Sequence, residues 1–158
     1  VDANIASVFA KIECLDLLLE ILSNHPAFIT LRIFEELSVP LDYGYTFPLD
    51  IFRRFDVIYP TARENDAYQE MLVDNRSLGR GELEAICICK NRGYVFLSMD
   101  NASLMFAQSL GVETLKLHTL LRFLWKSGMK SKDEVKAIIR EIEDKDKTLI
   151  KDPYLIFK

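Results

Sequence analysis

One carboxylate set inside an apolar helix constrains this chain more than any other feature. In Arg80-Gly81-Glu82-Leu83-Glu84-Ala85-Ile86-Cys87-Ile88-Cys89, Glu84 enters a run that is otherwise almost wholly apolar. An ionised carboxylate is costly to bury unless a positive or hydrogen-bonding group meets it. Glu84 therefore needs a partner, and a metal ion is one. About ten residues on, Tyr94-Val95-Phe96-Leu97 has the pattern of a fully buried strand, delivering Ser98-Met99-Asp100-Asn101 at its carboxyl end ahead of another helical pattern. Two acids thus converge on one sheet edge.

The alternation of strand and helix continues in both directions. Glu13 to Leu22 is a dense apolar helix stopped by Ser23-Asn24-His25-Pro26, and Phe28-Ile29-Thr30-Leu31 is a short strand. Ile33, Phe34 and Leu37 then follow at helical spacing until Pro40. Asp42 to Pro48 is a loop, Leu49 to Phe55 a short helix, and Asp56 to Pro60 a third strand. A helix over Glu64 to Val73 leads through a loop at 74–81 into the Glu84 helix. After the Tyr94 strand come a helix from Ala102 to Leu110, a stop at Gly111, a strand at Val112 to Leu117, and an apolar helix from Thr119 to Ser127. Such an order favours parallel pairing with right-handed crossovers, hence an α/β fold: a three-layer sandwich with a central parallel sheet. Ser131 with Glu134 three residues on caps a last amphipathic helix running to Lys147, and the apolar tail Pro153 to Phe157 is expected to dock on the domain or on a second copy. The prediction is a single domain over 1–158 with a C-terminal helical extension from about residue 131.

With 49% hydrophobic and 28% charged residues, the composition is that of a folded globular protein. No apolar run reaches the roughly 18 residues of a membrane span, and no signal-peptide pattern opens the chain, so a cytoplasmic location is expected. A net charge of −4 argues against a broad nucleic-acid-coating surface, which leaves local binding. The three cysteines cannot all pair; Cys87 and Cys89 lie two apart on a helix, and all three are expected as buried reduced thiols.

In open α/β sheets, ligands gather at the carboxyl ends of strands. Asp2, Glu36, Glu84 and Asp100 all fall at or just after such ends or at helix starts. Four carboxylates without four basic partners suit a hard divalent cation, Mg²⁺ or Mn²⁺, and such a centre suits phosphodiester hydrolysis.

These segments, in this order, resemble the PIN-domain nucleases, which include the VapC ribonucleases of toxin–antitoxin pairs. Val1-Asp2-Ala3-Asn4-Ile5 is similar to the family's opening Asp-x-Asn element, and Phe34-Glu35-Glu36-Leu37 to its second acidic segment. Gly81-Glu82-Leu83-Glu84-Ala85-Ile86 resembles a Gly-Glu-x-Glu-Ala-Ile signature of a prokaryotic branch thought to bind nucleic acid. Leu97-Ser98-Met99-Asp100 resembles a Leu-Thr-x-Asp element, and Ala107 through Val112 an Ala-x-x-Leu-Gly-Val segment. The resemblance implies a ribonuclease with Asp2, Glu36, Glu84 and Asp100 as catalytic acids; Asp2, Glu84 and Asp100 would hold the metal. Asn4, Ser98, Glu82 and Asn101 would support them. It further implies cleavage of single-stranded RNA by attack of a metal-activated water, with RNA, an antitoxin protein and a second copy as partners.

The chain departs from the pattern twice. Only Val1 precedes Asp2, where the family has a central strand, so that strand is either upstream of this sequence or lost. Asn101 and Ser103 stand where a further acid is common, which favours one metal over two.

Structural explanations compete at each position. Asp2, Ser98, Asp100 and Asn101 stand near helix starts, where N-capping accounts for such residues. Glu82 is expected to be a first-turn acid complementing the helix dipole, roughly 200° around the helix from Glu84. Arg76, Arg80, Lys90 and Arg92 are candidates for RNA phosphates. Tyr43, Tyr45 and Phe47 are expected to pack over the core, with base stacking the rival role. The rival functions are a non-catalytic RNA-binding or assembly module and, with no convincing lysine partner, a receiver-like phosphoacceptor domain.

Overall fold

Apolar spacing decides where the chain bends. In the computed structural model, which describes all 158 residues, α1 (Ala3–Lys11) buries Ile5, Ala6, Val8 and Phe9 at the centre of the core. It packs on α3 (Leu31–Ser38), α4 (Phe47–Arg54) and β3 (Phe96–Ser98). The predicted helix from Glu13 starts later: Glu13 takes a left-handed φ of 59°, and α2 spans Leu15–Ile21.

β1 (Phe28–Thr30) runs straight into α3, and β2 (Asp56–Ile58) follows α4. Between α3 and α4 the predicted loop is in part a 3-10 turn over Val39–Tyr43, closed by Gly44 at φ 83°, a value that favours glycine. α5 (Ala62–Asp74) begins with a reciprocal capping box of Thr61 and Glu64, and α6 (Arg80–Arg92) ends at Gly93. β3 leads to α7 (Asn101–Ser109), then β4 (Thr114–Lys116), α8 (Leu117–Lys126) and α9 (Lys132–Glu141).

The strands exist where expected, but the predicted single central sheet does not. β1 pairs in parallel with β2, and β3 with β4, as two separate two-stranded sheets of three residues per strand. Between them, the Val1 main-chain nitrogen donates to Phe28 O at 2.8 Å and the Asp2 N–H to Leu97 O at 2.9 Å. The rest of the gap between β1 and β3 is an apolar cavity of about 560 Å³ lined by Val1, Phe28, Ala85, Ile88, Tyr94 and Phe96. Tyr94 and Val95, predicted in the buried strand, precede β3 and are exposed. The molecule is α/β in composition, yet mostly helical.

The last predicted helix also ends early. α9 stops at Glu141 and passes into a π-type turn, Ile142–Asp146, which packs on α1; Lys147 then turns left-handed at φ 63°. The tail forms a 3-10 turn (Pro153–Phe157) against α8, with Trp125 Nε1 donating to Ile156 O at 2.7 Å, Arg122 Nη2 donating to Leu155 O, and the Ile156 side chain buried. Of the cysteines only Cys87 is fully buried; Cys14 and Cys89 are partly exposed. No helix is long and apolar enough to cross a membrane.

Candidate functional site

Asp2 occupies the N-cap position of α1 but does not cap it: its side chain accepts no hydrogen bond from that helix. Oδ2 instead accepts from Ser98 Oγ at 3.0 Å, across 96 residues of sequence. The carboxyl is 1% exposed. Burial, then the charge of Glu82, and with a smaller part Glu36, push its pKa up to about 7, against the opposing pull of the Ser98 hydroxyl.

Glu36 lies in the last turns of α3, and its pKa is raised by burial and by Glu82. What lets it in is Gly81, on α6. A Cβ there would stand 2.9 Å from Glu36 Oε2 and 3.1 Å from Ile33 Cγ1, so the close approach of α3 and α6 depends on the missing side chain. Glu82 sits at N3 of α6, where Oε2 accepts from Gly79 N at 3.1 Å. It is thus the first-turn acid the sequence suggested, and it is also the acid whose charge both Asp2 and Glu36 feel.

Glu84 departs from the expectation that singled it out. Its Oε1 accepts from the backbone N–H of Arg32 at 2.8 Å, and Oε2 stands 4.0 Å from Arg32 Nε. Arg32 is in the first turn of α3, whose N-cap residue Thr30 supplies no side-chain cap and leaves Oγ1 without a partner. A carboxylate from α6 therefore satisfies a helix start that its own cap leaves open. The apolar setting that made Glu84 conspicuous is the packing of α6 on α3, and its partner is an N–H and a guanidinium. The acids whose charges raise the Asp2 pKa are Glu82 and Glu36.

Asp100 caps α7 as the structural reading expected: Oδ1 accepts from Ser103 N at 2.7 Å. Its own N–H donates to Ser98 Oγ at 3.1 Å, so one hydroxyl links Asp2 to Asp100. Asp100 also lines a polar pocket of about 230 Å³ with Asn4, Met99, Asp146 and Thr148. Asn101 opens α7 as an exposed residue and makes no side-chain hydrogen bond to these acids.

The oxygens present suit a hard divalent cation. The charge of Glu82 raises the proton affinity of both Asp2 and Glu36, and none of the three is in an ion pair with a lysine or arginine. A doubly charged ion relieves that repulsion. As the side chains lie, no three Asp, Glu, His or Cys groups form a ready-made cage. Arg92, a candidate for RNA phosphates, is held elsewhere, by Glu64 at 2.7 and 2.8 Å and by Tyr59 O. His118 bonds Lys151 O at 2.6 Å. Tyr43 and Tyr45, expected to pack on the core, are 77% and 61% exposed.

Two residues that the sequence did not single out reach this region. Asp146, in the turn after α9, lines the polar pocket and takes Lys11 Nζ at 2.6 Å. Their separation of 135 residues explains why no local pattern revealed them. Compared with known proteins, the chain matches a family model for the PIN domain over residues 1–155. No curated protein and no solved structure matches.

Proposed function

Because this chain belongs to the PIN-domain family, a nuclease-type fold, we propose that it is a metal-dependent endoribonuclease hydrolysing phosphodiester bonds of single-stranded RNA. The observation that supports this reading best is the electrostatic coupling of Asp2 and Glu36 to Glu82, acids in no ion pair with a lysine or arginine, with Gly81 admitting Glu36 close to α6. In this proposal those three carboxylates, with Asp100 beside them, hold Mg²⁺ or Mn²⁺. A bound ion of that kind supplies Lewis acidity to a phosphoryl oxygen and lowers the pKa of water.

The chain's own groups set the stage. Ser98 Oγ donates to Asp2 and accepts from Asp100 N, fixing the spacing of two acids. The α7 N-terminus fixes the rotamer of Asp100 through Ser103 N. Burial keeps Asp2 protonated below about pH 7 and so reserves its full charge for neutral and alkaline conditions. Asn4 and Asp100 border the polar pocket, where an amide and a carboxylate are placed to meet a substrate's hydroxyls.

Cleavage of single-stranded RNA is expected to require Mn²⁺ or Mg²⁺ and to be lost in Asp2→Asn. Cation-independent cleavage, or an active Asp2→Asn, would remove this reading. An antitoxin partner, a toxin role and a homodimer belong to the same proposal. A second reading, a non-catalytic RNA-binding or assembly module, is favoured by the lack of a preformed three-ligand cage. Titration with Mn²⁺ separates the two: a module of that kind gains no thermal stability from the ion.

A further inference from the structure

The aromatic residues beside the candidate site are joined to it by an unbroken series of contacts. Gly44, at φ 83°, makes the turn that leaves Tyr43 on one side and Tyr45 on the other, both exposed. The Tyr45 ring meets Phe47 edge-on, with centroids 6.4 Å apart and planes at 61°. Lys11 Nζ lies 5.1 Å from the centroid of that Phe47 ring and 2.6 Å from Asp146 Oδ1. Asp146, also bonded by the Thr148 hydroxyl, lines the pocket shared with Asn4 and Asp100. From the acids outward, the order is carboxylate pocket, cation, aromatic platform.

That order matches the chemistry of a single strand of nucleic acid. Its phosphate meets a cation one step from the scissile position, and an unstacked base finds an aromatic face beyond. A duplex offers no free base face to such a platform. Lys11 differs from the surface lysines on α9 because its partner is a nearly buried carboxylate: the Asp146 side chain is 9% exposed, that of Lys11 32%. Asp146 holds the ammonium at the rim of the pocket and also competes with any phosphate for it.

We propose that Lys11 and Tyr45 form a binding track that leads single-stranded RNA into the acid cluster, with Asp146 as the internal competitor for Lys11. Tyr43 extends the platform. The track rests on the ribonuclease reading for its direction, and it assigns to the turn after α9 a part in substrate binding.

The test is the affinity of the whole chain for a labelled, mixed-sequence single-stranded RNA of about ten nucleotides, measured by anisotropy with Ca²⁺ as the cation. Lys11→Gln is expected to weaken binding several-fold and to lower the salt slope by about one. Tyr45→Ala is expected to weaken it roughly tenfold, with Tyr45→Phe restoring affinity, because stacking needs the ring and not the hydroxyl. Asp146→Asn is expected to tighten binding, which loss of a merely structural ion pair does not do. Melting curves identify any variant that fails to fold, and Lys11→Arg then replaces Lys11→Gln as the informative change, with affinity retained. Unchanged or weaker binding in Asp146→Asn, or full affinity in Tyr45→Ala, overturns the track. A Tyr45→Ala variant that changes sedimentation but not RNA affinity makes this face a protein interface instead. Absence of cleavage with the predicted binding pattern intact would count against the nuclease reading alone.

Discussion

Two glutamates two residues apart on α6 do different work, and the difference lies in what each side chain meets. Glu82→Gln is expected to abolish Mn²⁺-induced stabilisation and to cut cleavage by at least a hundredfold, the usual order for a lost catalytic carboxylate. Glu84→Gln keeps an acceptor for Arg32 N and is expected to cost about 1 kcal/mol of stability while leaving most cleavage in place. Calorimetric Mn²⁺ titration and denaturant melts read the two outcomes, and an inactive, stable Glu84→Gln would reverse the assignment. Asp2 adds a pH signature in the metal-free protein. Its folded pKa of about 7 lies above the ordinary 3.8, so the native state binds the proton more tightly. The contribution is full below about pH 3.8 and is lost as pH rises through about 7, a loss of order 4 kcal/mol in the limit of a fully ordinary unfolded value. Glu36 shifts in the same direction. Denaturant midpoints in EDTA are expected to fall from pH 5 to pH 8, and Asp2→Asn is expected to flatten the fall. At this scale, the sequence made Asp2, Ser98 and Asp100 legible because each ends or begins an element. It set Glu84 above Glu82 as the metal-holding acid without access to what each side chain meets, which depends on which side of α6 faces α3, a crossing marked by a glycine contact 45 residues away from Glu36 in the chain.

Helix starts, more than strands, organise the site. α3 relies on a carboxylate from α6, α7 on its own Asp100, and α6 on the Glu82 side chain at Gly79. The crossing of α3 and α6 is tight at Gly81, where Gly81→Ala would place a methyl 2.9 Å from Glu36 Oε2 and 3.1 Å from Ile33 Cγ1. The carboxylate can swing away and the isoleucine has to give slightly, so stability is expected to drop by about 1–2 kcal/mol. Mn²⁺ affinity is expected to drop further, since the displaced group is a proposed ligand. Equal Mn²⁺ titrations of the two proteins would show that Glu36 is not needed for the ion. Most helices were legible from their apolar spacing and caps, as at Thr61 with Glu64 and Ser131 with Glu134. The early end of α9 was not, because Ile142 to Asp146 keeps the helical pattern while its buried Ile142 and ion-paired Asp146 are drawn towards α1.

Across the whole molecule, the order of strands was legible but their union was not. Short apolar runs identify buried strands, and nothing in β1 or β3 encodes how far apart the two pairs stand. The C-terminal tail packs on α8, with Trp125 Nε1 donating to Ile156 O and Ile156 buried. Deleting residues 153–158 is expected to cost about 2 kcal/mol, read as a fall in Tm of roughly 4–8 °C; an unchanged Tm would mean the tail contributes nothing. The backbone contacts of Val1 and Asp2 reach both strand pairs, one to Phe28 and the other to Leu97. Glu36 belongs to the helix that continues β1, and Asp100 to the turn that follows β3. The acids thus straddle a seam, and Asp2 is its pin. The spacing between Glu36 and Asp100 is therefore set by how the two strand pairs sit on either side of Asp2, and not by any single helix or turn.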